Sequence, residues 1–534
     1  MAALCFFDIM NFALSAQPLS PRLPLAVVVA LAAIYLLTGL QHDPWKHEDA
    51  IHLGIAWGFL NSSDWLVPAI AGTPWPHTAP LYHWLAALLG KLFGGLLGFH
   101  VAARLATALF GALFLVALAG AARSFFGGNA GRIAVLLALG TLGLLLPLHE
   151  AQPGIAGLAF AALAWWGAGL ILQGRRGGAV LLGLGLGLAF PAHGLAGLVM
   201  ALAVLPAPIL RRDWIGLALA LLIAVPLAGA WPWALQHAAP EFWAQWWRNE
   251  LAEATAGRHW PQGQHLEQLG WVSWPIWPLA LWSLWLHRAD AGRLALPLLG
   301  VLLALSWYLS GPPRTLALLP LLLPLLLVAA SGADRLRRGA ANAFDWFGWM
   351  TFTFFAVLIW LGASAQALGW PAKLARNFER LAPGHVVHYS YFVLAFAALL
   401  TTLWLLSWGL RRASWRPSLR WAGGLTLMWA LIASLWMAWI DHYKSYRPVV
   451  QSLQAALPAG IDCIEQLGLG AAQRAVLDYY TGIRTVPASA GRQCAWRLVV
   501  AQRDRLLTPG WQEVWQGHRA GDRKERWYLD RRAD

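Results

Sequence analysis

Of the chain's 534 residues, 59% are hydrophobic and only 12% are charged, about half the charge content of a globular protein. Folded in water, such a chain would leave large apolar patches on its surface, which excludes a soluble globular protein. The formal charge of +14 does not indicate a nucleic-acid binder, because the arginines stand at the ends of apolar blocks, where membrane topology needs them.

The first twenty residues carry Asp8 and no cation before Arg22, so the basic start of a signal peptide is missing. From there the apolar blocks run about 18 to 23 residues, the length a bilayer core demands. They predict thirteen membrane-spanning helices at 23–40, 100–122, 133–148, 155–173, 178–191, 194–210, 214–235, 268–286, 294–309, 315–331, 346–366, 391–410 and 421–440. The block at 178–191 is short and carries Gly183, Gly185 and Gly187, which predicts either close packing on a neighbour or an incomplete crossing. Most of the 35 tryptophans suit the membrane–water boundary that indole prefers.

With the N-terminus in the cytoplasm, the connections that fall inside hold Arg123/Arg132, Arg175/Arg176, Arg211/Arg212, Arg288/Arg293, Arg335/Arg337/Arg338 and Arg411/Arg412/Arg416/Arg420. The short outside connections, His149–Pro153 and Pro191–Gly194, hold no arginine. One missed span would invert every later connection, so the agreement supports an odd number of crossings and a non-cytoplasmic C-terminus. Three outside connections are long, at 41–99, 236–267 and 367–390, and escape that charge rule; the functional surface is expected there. Residues 1–442 then form a membrane domain and 443–534 a small soluble α/β domain. In the latter, Ser445–Leu457 reads as an amphipathic helix, and Ile461–Ile464, Arg497–Ala501, Glu513–Gln516 and Arg526–Leu529 read as strands. Cys463 and Cys494 both lie there, able to pair in an oxidising compartment.

The loop at 41–99 holds the chemistry. Asp43, Glu48 and Asp49 fall within seven positions just beyond a span. A carboxylate there can act as general base on an acceptor hydroxyl or help hold a divalent ion; equally, Asp43 and Glu48 suit a helix start in a solvated loop. Past the helical run that follows come Ser63-Asp64-Trp65-Leu66-Val67-Pro68, then Thr78-Ala79-Pro80-Leu81-Tyr82-His83-Trp84, then Lys91-Leu92-Phe93-Gly94. Together with His47-Glu48-Asp49, this segment resembles the first extracytoplasmic loop of GT-C-type glycosyltransferases, in particular the lipid A aminoarabinose transferases and related undecaprenyl-phosphate-sugar transferases. The dolichyl-phosphate-mannose protein mannosyltransferases are similar. That family shows Pro-Asp-Glu, Gly-Asp-Trp-x-Val-Pro, Glu-Lys-Pro-Pro-Leu-x-Tyr-Trp and Lys-Leu-Phe-Gly.

The resemblance implies a polytopic helical fold and transfer of a sugar from a polyprenyl-phosphate donor to an extracytoplasmic acceptor, whether lipid A, another glycolipid or a protein. It implies Glu48 or Asp49 as the base, with the family's acidic pair in exchanged order, and Tyr82 at the substrate. The family's Glu-Lys is replaced by Thr78-Ala79, and its second Asp by Gly154, with His149 and Glu150 one turn away. A phosphate partner must therefore come from elsewhere. Arg314 stands alone in the short outside connection Ser310-Gly311-Pro312-Pro313-Arg314, able to grip a lipid phosphate or to snorkel to headgroups. Lys46, Arg248 and Arg258 are further loop cations. His265, His259 and His77 are the histidines able to bind a divalent metal, although lone histidines are seldom ligands. A carrier or flippase of lipid-linked glycans is the second reading, and a catalytically degenerate relative the third. Charges buried mid-span and a pseudo-symmetric repeat would favour the carrier, and the sequence has almost no charges inside the apolar blocks and no repeat.

Overall fold

The computed structural model describes residues 23–533 apart from 46, 256–262, 459, 462, 489–493, 502–504, 506, 507 and 523. Lys46, Arg258 and His259 lie outside the described residues. Among those described, nine helices are long and apolar enough to cross a membrane. Side chains such as Leu96, Ile215, Leu222 and Phe392 are 72–85% exposed on their outer surfaces, an arrangement that water penalises and lipid does not.

The thirteen expected blocks do not all appear as full-length helices. Those at 23–40, 133–148 and 268–286 contain the shorter helices Leu25–Leu37, Ala130–Leu139 and Ile276–Leu286. In the last, Pro275 separates Ile276–Leu286 from the preceding helix Gly263–Val272, because proline supplies no N–H to the helical ladder. The blocks at 178–191 and 194–210 lie within Gly177–Leu210 and part where the sequence places the Pro191–Gly194 connection. Within it His193 (φ −152°, ψ 31°) and Gly194 (φ 57°, ψ −145°) leave helical geometry. The chain doubles back there, because both halves flank the helix Pro153–Leu172. Gly178 and Gly185 lie against the backbone of Gly167 and Ala164 on one side of the break, and Trp165 Nε1 donates to the Met200 carbonyl at 2.9 Å on the other. Gly183 and Gly187 meet the backbone of Ala220 and Ala224 in the helix Trp214–Ala238. Close packing is thus the role of this glycine-rich block: absent Cβ atoms let helix backbones touch.

Within residues 41–99, the helix Glu48–Leu60 leads to a hairpin of β1 (Ala69–Ile70) and β2 (Thr73–Pro74). Both residues of its turn, Ala71 and Gly72, have positive φ (49° and 76°), as a tight two-residue hairpin turn demands. The helix Leu81–Leu97 follows and turns at Gly98 into Phe99–Phe126.

The C-terminal residues form a five-stranded mixed sheet. In chain order the strands are β3 (Ile464–Leu467), β4 (Val486–Pro487), β5 (Trp496–Ala501), β6 (Trp511–Gly517) and β7 (Arg526–Arg532). Their spatial order is β4-β3-β5-β7-β6, with β3 parallel to both neighbours and the other pairs antiparallel. Helices Arg447–Ala456 and Ala471–Thr481 cover it through Val450, Leu453, Val476 and Leu477, packed on Leu498, Trp527 and Leu529. Cys463 and Cys494 are joined in a disulfide. The first strand begins three residues later than the sequence predicts, and Ala471–Thr481 and β4 are elements it does not anticipate. That helix starts at Gly470, whose N–H is capped by the side chain of Gln473. It lies on the loop helix, with Gly54 against Ala475, and Arg474 donates to the Ile70 carbonyl at 3.3 Å. The C-terminal sheet is thereby pinned to the loop that carries the acids.

Candidate active site

Glu48 and Asp49 open the helix Glu48–Leu60, where carboxylates complement the positive end of the helix dipole. Successive residues of a helix point about 100° apart, so the two acids enter different surroundings. Asp49 turns inward and is 1% exposed. Its Oδ2 and Oδ1 accept from Arg104 at 2.7 and 3.1 Å, and it also accepts from the backbone N–H of Ala151 at 2.7 Å. Arg104, fully buried, donates in addition to the carbonyls of Leu40 (2.9 Å), Asp43 (3.3 Å) and His42. Burial pushes the Asp49 carboxyl up, but the Arg104 charge and these donors outweigh it and hold Asp49 below the usual carboxylate range. Asp49 is therefore placed away from the cavity described next, with its oxygens already occupied.

Glu48 turns outward and is half exposed, on the wall of a cavity of about 730 Å³. One turn along the helix, His52 Nε2 lies 3.4 Å from Glu48 Oε2. His52 Nδ1 is 3.0 Å from His83 Nε2, and His83 Nδ1 is 3.1 Å from the Ala79 carbonyl. The hydrogen bond from His52 holds Glu48 below the usual carboxylate range. Across the cavity, the helix Pro240–Thr255 contributes Glu250 and Glu253, and the connection after Leu309 contributes Arg314. Arg314 Nη1 is 3.5 Å from Glu253 Oε1, with both side chains about 60% exposed. Such an exposed pair is held by little energy, so a phosphate can displace Glu253.

Glu250 accepts from the Leu195 N–H at 2.8 Å, on the reversal formed by His193 and Gly194. A Cβ on Gly194 would strike the Glu250 carboxylate, so the glycine serves both the positive φ and this approach. Burial pushes the Glu250 carboxyl up to about 7.

The other expected site residues divide. His77 lines the cavity, 3.5 Å from Asn249 Nδ2 and in ring contact with Trp75. Tyr82 is fully buried beneath the loop, its hydroxyl 2.7 Å from Thr107 Oγ1, so it does not reach the cavity. His265 is also buried, with Nε2 3.3 Å from the Gly311 carbonyl, and does not join His77 at the cavity. Among the described residues no group of three or more histidine, cysteine or acidic side chains is arranged to hold a metal ion. The described residues of the cavity do not fit a divalent ion. His149 is buried with its ring nitrogens on the carbonyls of Leu145 (2.5 Å) and Tyr35 (2.6 Å). Glu150 lies outside the cavity lining, and burial together with the charge of Asp49 pushes it up to about 8.

Sequence reasoning missed His52, His83, Glu250 and Glu253. The Glu48–His52 spacing of four residues was a readable signal, since such residues share a helix face. Nothing local points to His83 or Glu250, which reach the site only through tertiary packing. The assembled cavity sets a carboxylate with a free edge opposite a loosely paired guanidinium. It can take a proton on one wall and bind an anion on the other.

The family model described as dolichyl-phosphate-mannose-protein mannosyltransferase matches residues 77–233. The undecaprenyl phosphate-alpha-4-amino-4-deoxy-L-arabinose arabinosyl transferase of Edwardsiella ictaluri is 30% identical over 234 residues. That match spans 41% of this chain and 41% of the relative's length. Among solved structures, ArnT from Cupriavidus metallidurans bound to undecaprenyl phosphate superposes with a TM-score of 0.69 at 17% identity, covering 94% of this chain and 97% of that one. Its apo form gives 0.63 at 16% identity, over 94% and 96%. The chain therefore shares the fold of the ArnT structures.

Proposed function

We propose that this protein is a multi-pass membrane glycosyltransferase that moves a sugar from a polyprenyl-phosphate donor to an extracytoplasmic acceptor. The observation that carries the reading is the sharing of one cavity by Glu48 and Arg314, residues 266 positions apart in the chain. In this reading Glu48 removes the proton from the acceptor hydroxyl. Arg314 meets the phosphate of the donor and stabilises the charge that grows on it as the sugar leaves. Asp49 serves as a clamp that holds the Glu48 helix. The relative that acts on undecaprenyl phosphate-4-amino-4-deoxy-L-arabinose supports a polyprenyl-phosphate donor, and a lipid A-type glycolipid is the acceptor we favour.

The arginine pattern supports thirteen crossings, with the N-terminus cytoplasmic and the sheet of residues 443–534 outside the inner membrane as a separate domain. The Cys463–Cys494 disulfide suits that oxidising side.

The test is sugar transfer by membranes containing the full chain, supplied with undecaprenyl phosphate-linked pentoses and hexoses and with lipid A. Transfer is expected from the wild-type protein, with E48Q slower by about 10²- to 10⁴-fold. An E48Q protein that transfers at the wild-type rate removes Glu48 from the chemistry.

A further inference from the structure

We infer that Glu48 and His52 act as a single-proton dyad, with His83 fixing the tautomer of His52. The inference rests on the proposed transferase reading and deepens it.

The geometry fixes the protons in order. The Ala79 carbonyl can only accept, so His83 Nδ1, 3.1 Å away, carries the hydrogen. His83 is fully buried, and burial holds it well below the usual histidine range, so it is neutral and its Nε2 is a lone pair. His52 Nδ1, 3.0 Å from that nitrogen, must therefore donate. This leaves His52 Nε2 facing Glu48 Oε2 at 3.4 Å, the one nitrogen of the chain free to gain or lose a proton. With both groups deprotonated, a carboxylate oxygen and a lone pair oppose each other. One proton between them converts that repulsion into a charge-assisted hydrogen bond.

The chemical step balances. The acceptor oxygen forms its bond to the sugar C1 as the bond from C1 to the phosphate oxygen breaks, and that electron pair leaves on the polyprenyl phosphate. The hydroxyl proton passes to Glu48 and settles between Glu48 and His52 Nε2. His52 acts through Glu48 and is a positioning residue. The other titratable and charged groups facing the pair are His47, His77, His193, Glu250, Glu253 and Arg314. Of these, Glu250 is pushed up to about 7 by burial, so it needs its own variant.

The experiment is the pH profile of kcat/KM for the purified full chain in detergent, with undecaprenyl phosphate-linked 4-amino-4-deoxy-L-arabinose as donor and lipid A as acceptor. In H52Q the acid limb is expected at lower pH than in the wild type, with kcat lower by about 10- to 100-fold and the donor KM little changed. In the E48Q background, H52Q is expected to add no further loss, because His52 then has no carboxylate to act through. An acid limb at the same pH in H52Q and the wild type overturns the dyad. So does a limb that moves with E250Q and stays in H52Q. Unaltered kcat and profile in H52Q, with wild-type transfer intact, overturn the dyad and leave the transferase standing. Absence of transfer by the wild type contradicts both.

Discussion

Two neighbouring acids in one helical turn meet opposite fates here, and burial decides which. Asp49 enters the interior because Arg104 and the Ala151 N–H are there to receive it; Glu48 keeps a free edge on the cavity. A third carboxylate, Glu250, sits between those extremes. Its folded value near 7 lies above the unfolded value of about 4.3. The folded state therefore binds more protons between those pH values, and the stability contributed below the unfolded value is lost as pH rises through 7. E250Q keeps an acceptor for the Leu195 N–H and removes the charge. Its melting temperature is thus expected to gain on the wild type's between about pH 5 and 8. A constant difference across that interval would show that Glu250 is not held in its neutral form. Residue identities of this kind were partly legible beforehand. Arg314 was identifiable as a lone arginine in a short outside connection, and the four-residue spacing of Glu48 and His52 was a readable sign of a shared helix face, but the burial of Asp49 depends on where helix turning directs its side chain.

At the level of elements, the ion pair of Asp49 with Arg104 joins the loop helix to the membrane helix Phe99–Phe126, and both partners are essentially without solvent. D49A would leave a buried guanidinium unpaired. It is expected to destabilise the protein by about 3–5 kcal/mol, seen as a lowered melting temperature in detergent, whereas E48Q should melt with the wild type. Equal melting of D49A and wild type would mean that Asp49 does not hold the helix. The elements themselves were unevenly readable. Long apolar blocks identified most membrane helices, because hydrocarbon thickness imposes a length. The His193–Gly194 reversal falls at the predicted Pro191–Gly194 connection, whereas the block interrupted by Pro275 gave a shorter helix, since hydropathy does not register where a proline breaks the backbone. In the C-terminal region, Ala471–Thr481 escaped notice between Gly470 and Gly482, because its buried face is satisfied partly by the loop helix through Ala475 and Gly54, a contact across more than four hundred residues.

For the whole molecule, fold and cavity belong together: the loop of residues 41–99, the Pro240–Thr255 helix and the Arg314 connection come from three separated regions and converge on one space. The sharp motifs of the first hundred residues made the architecture legible, while the departure at Thr78-Ala79 moved the search for the anion partner to Arg314, outside those motifs. The central claim is that this space receives a polyprenyl phosphate. The direct measurement is photocrosslinking of a photoreactive undecaprenyl phosphate analogue to the purified full chain, with peptide mapping of the adducts. Adducts are expected in segments 75–79 and 307–320, diminished in R314A by about 10-fold, the loss of one charge-assisted contact. Adducts confined to other helices, or labelling of those two segments that R314A leaves unchanged, would contradict the account.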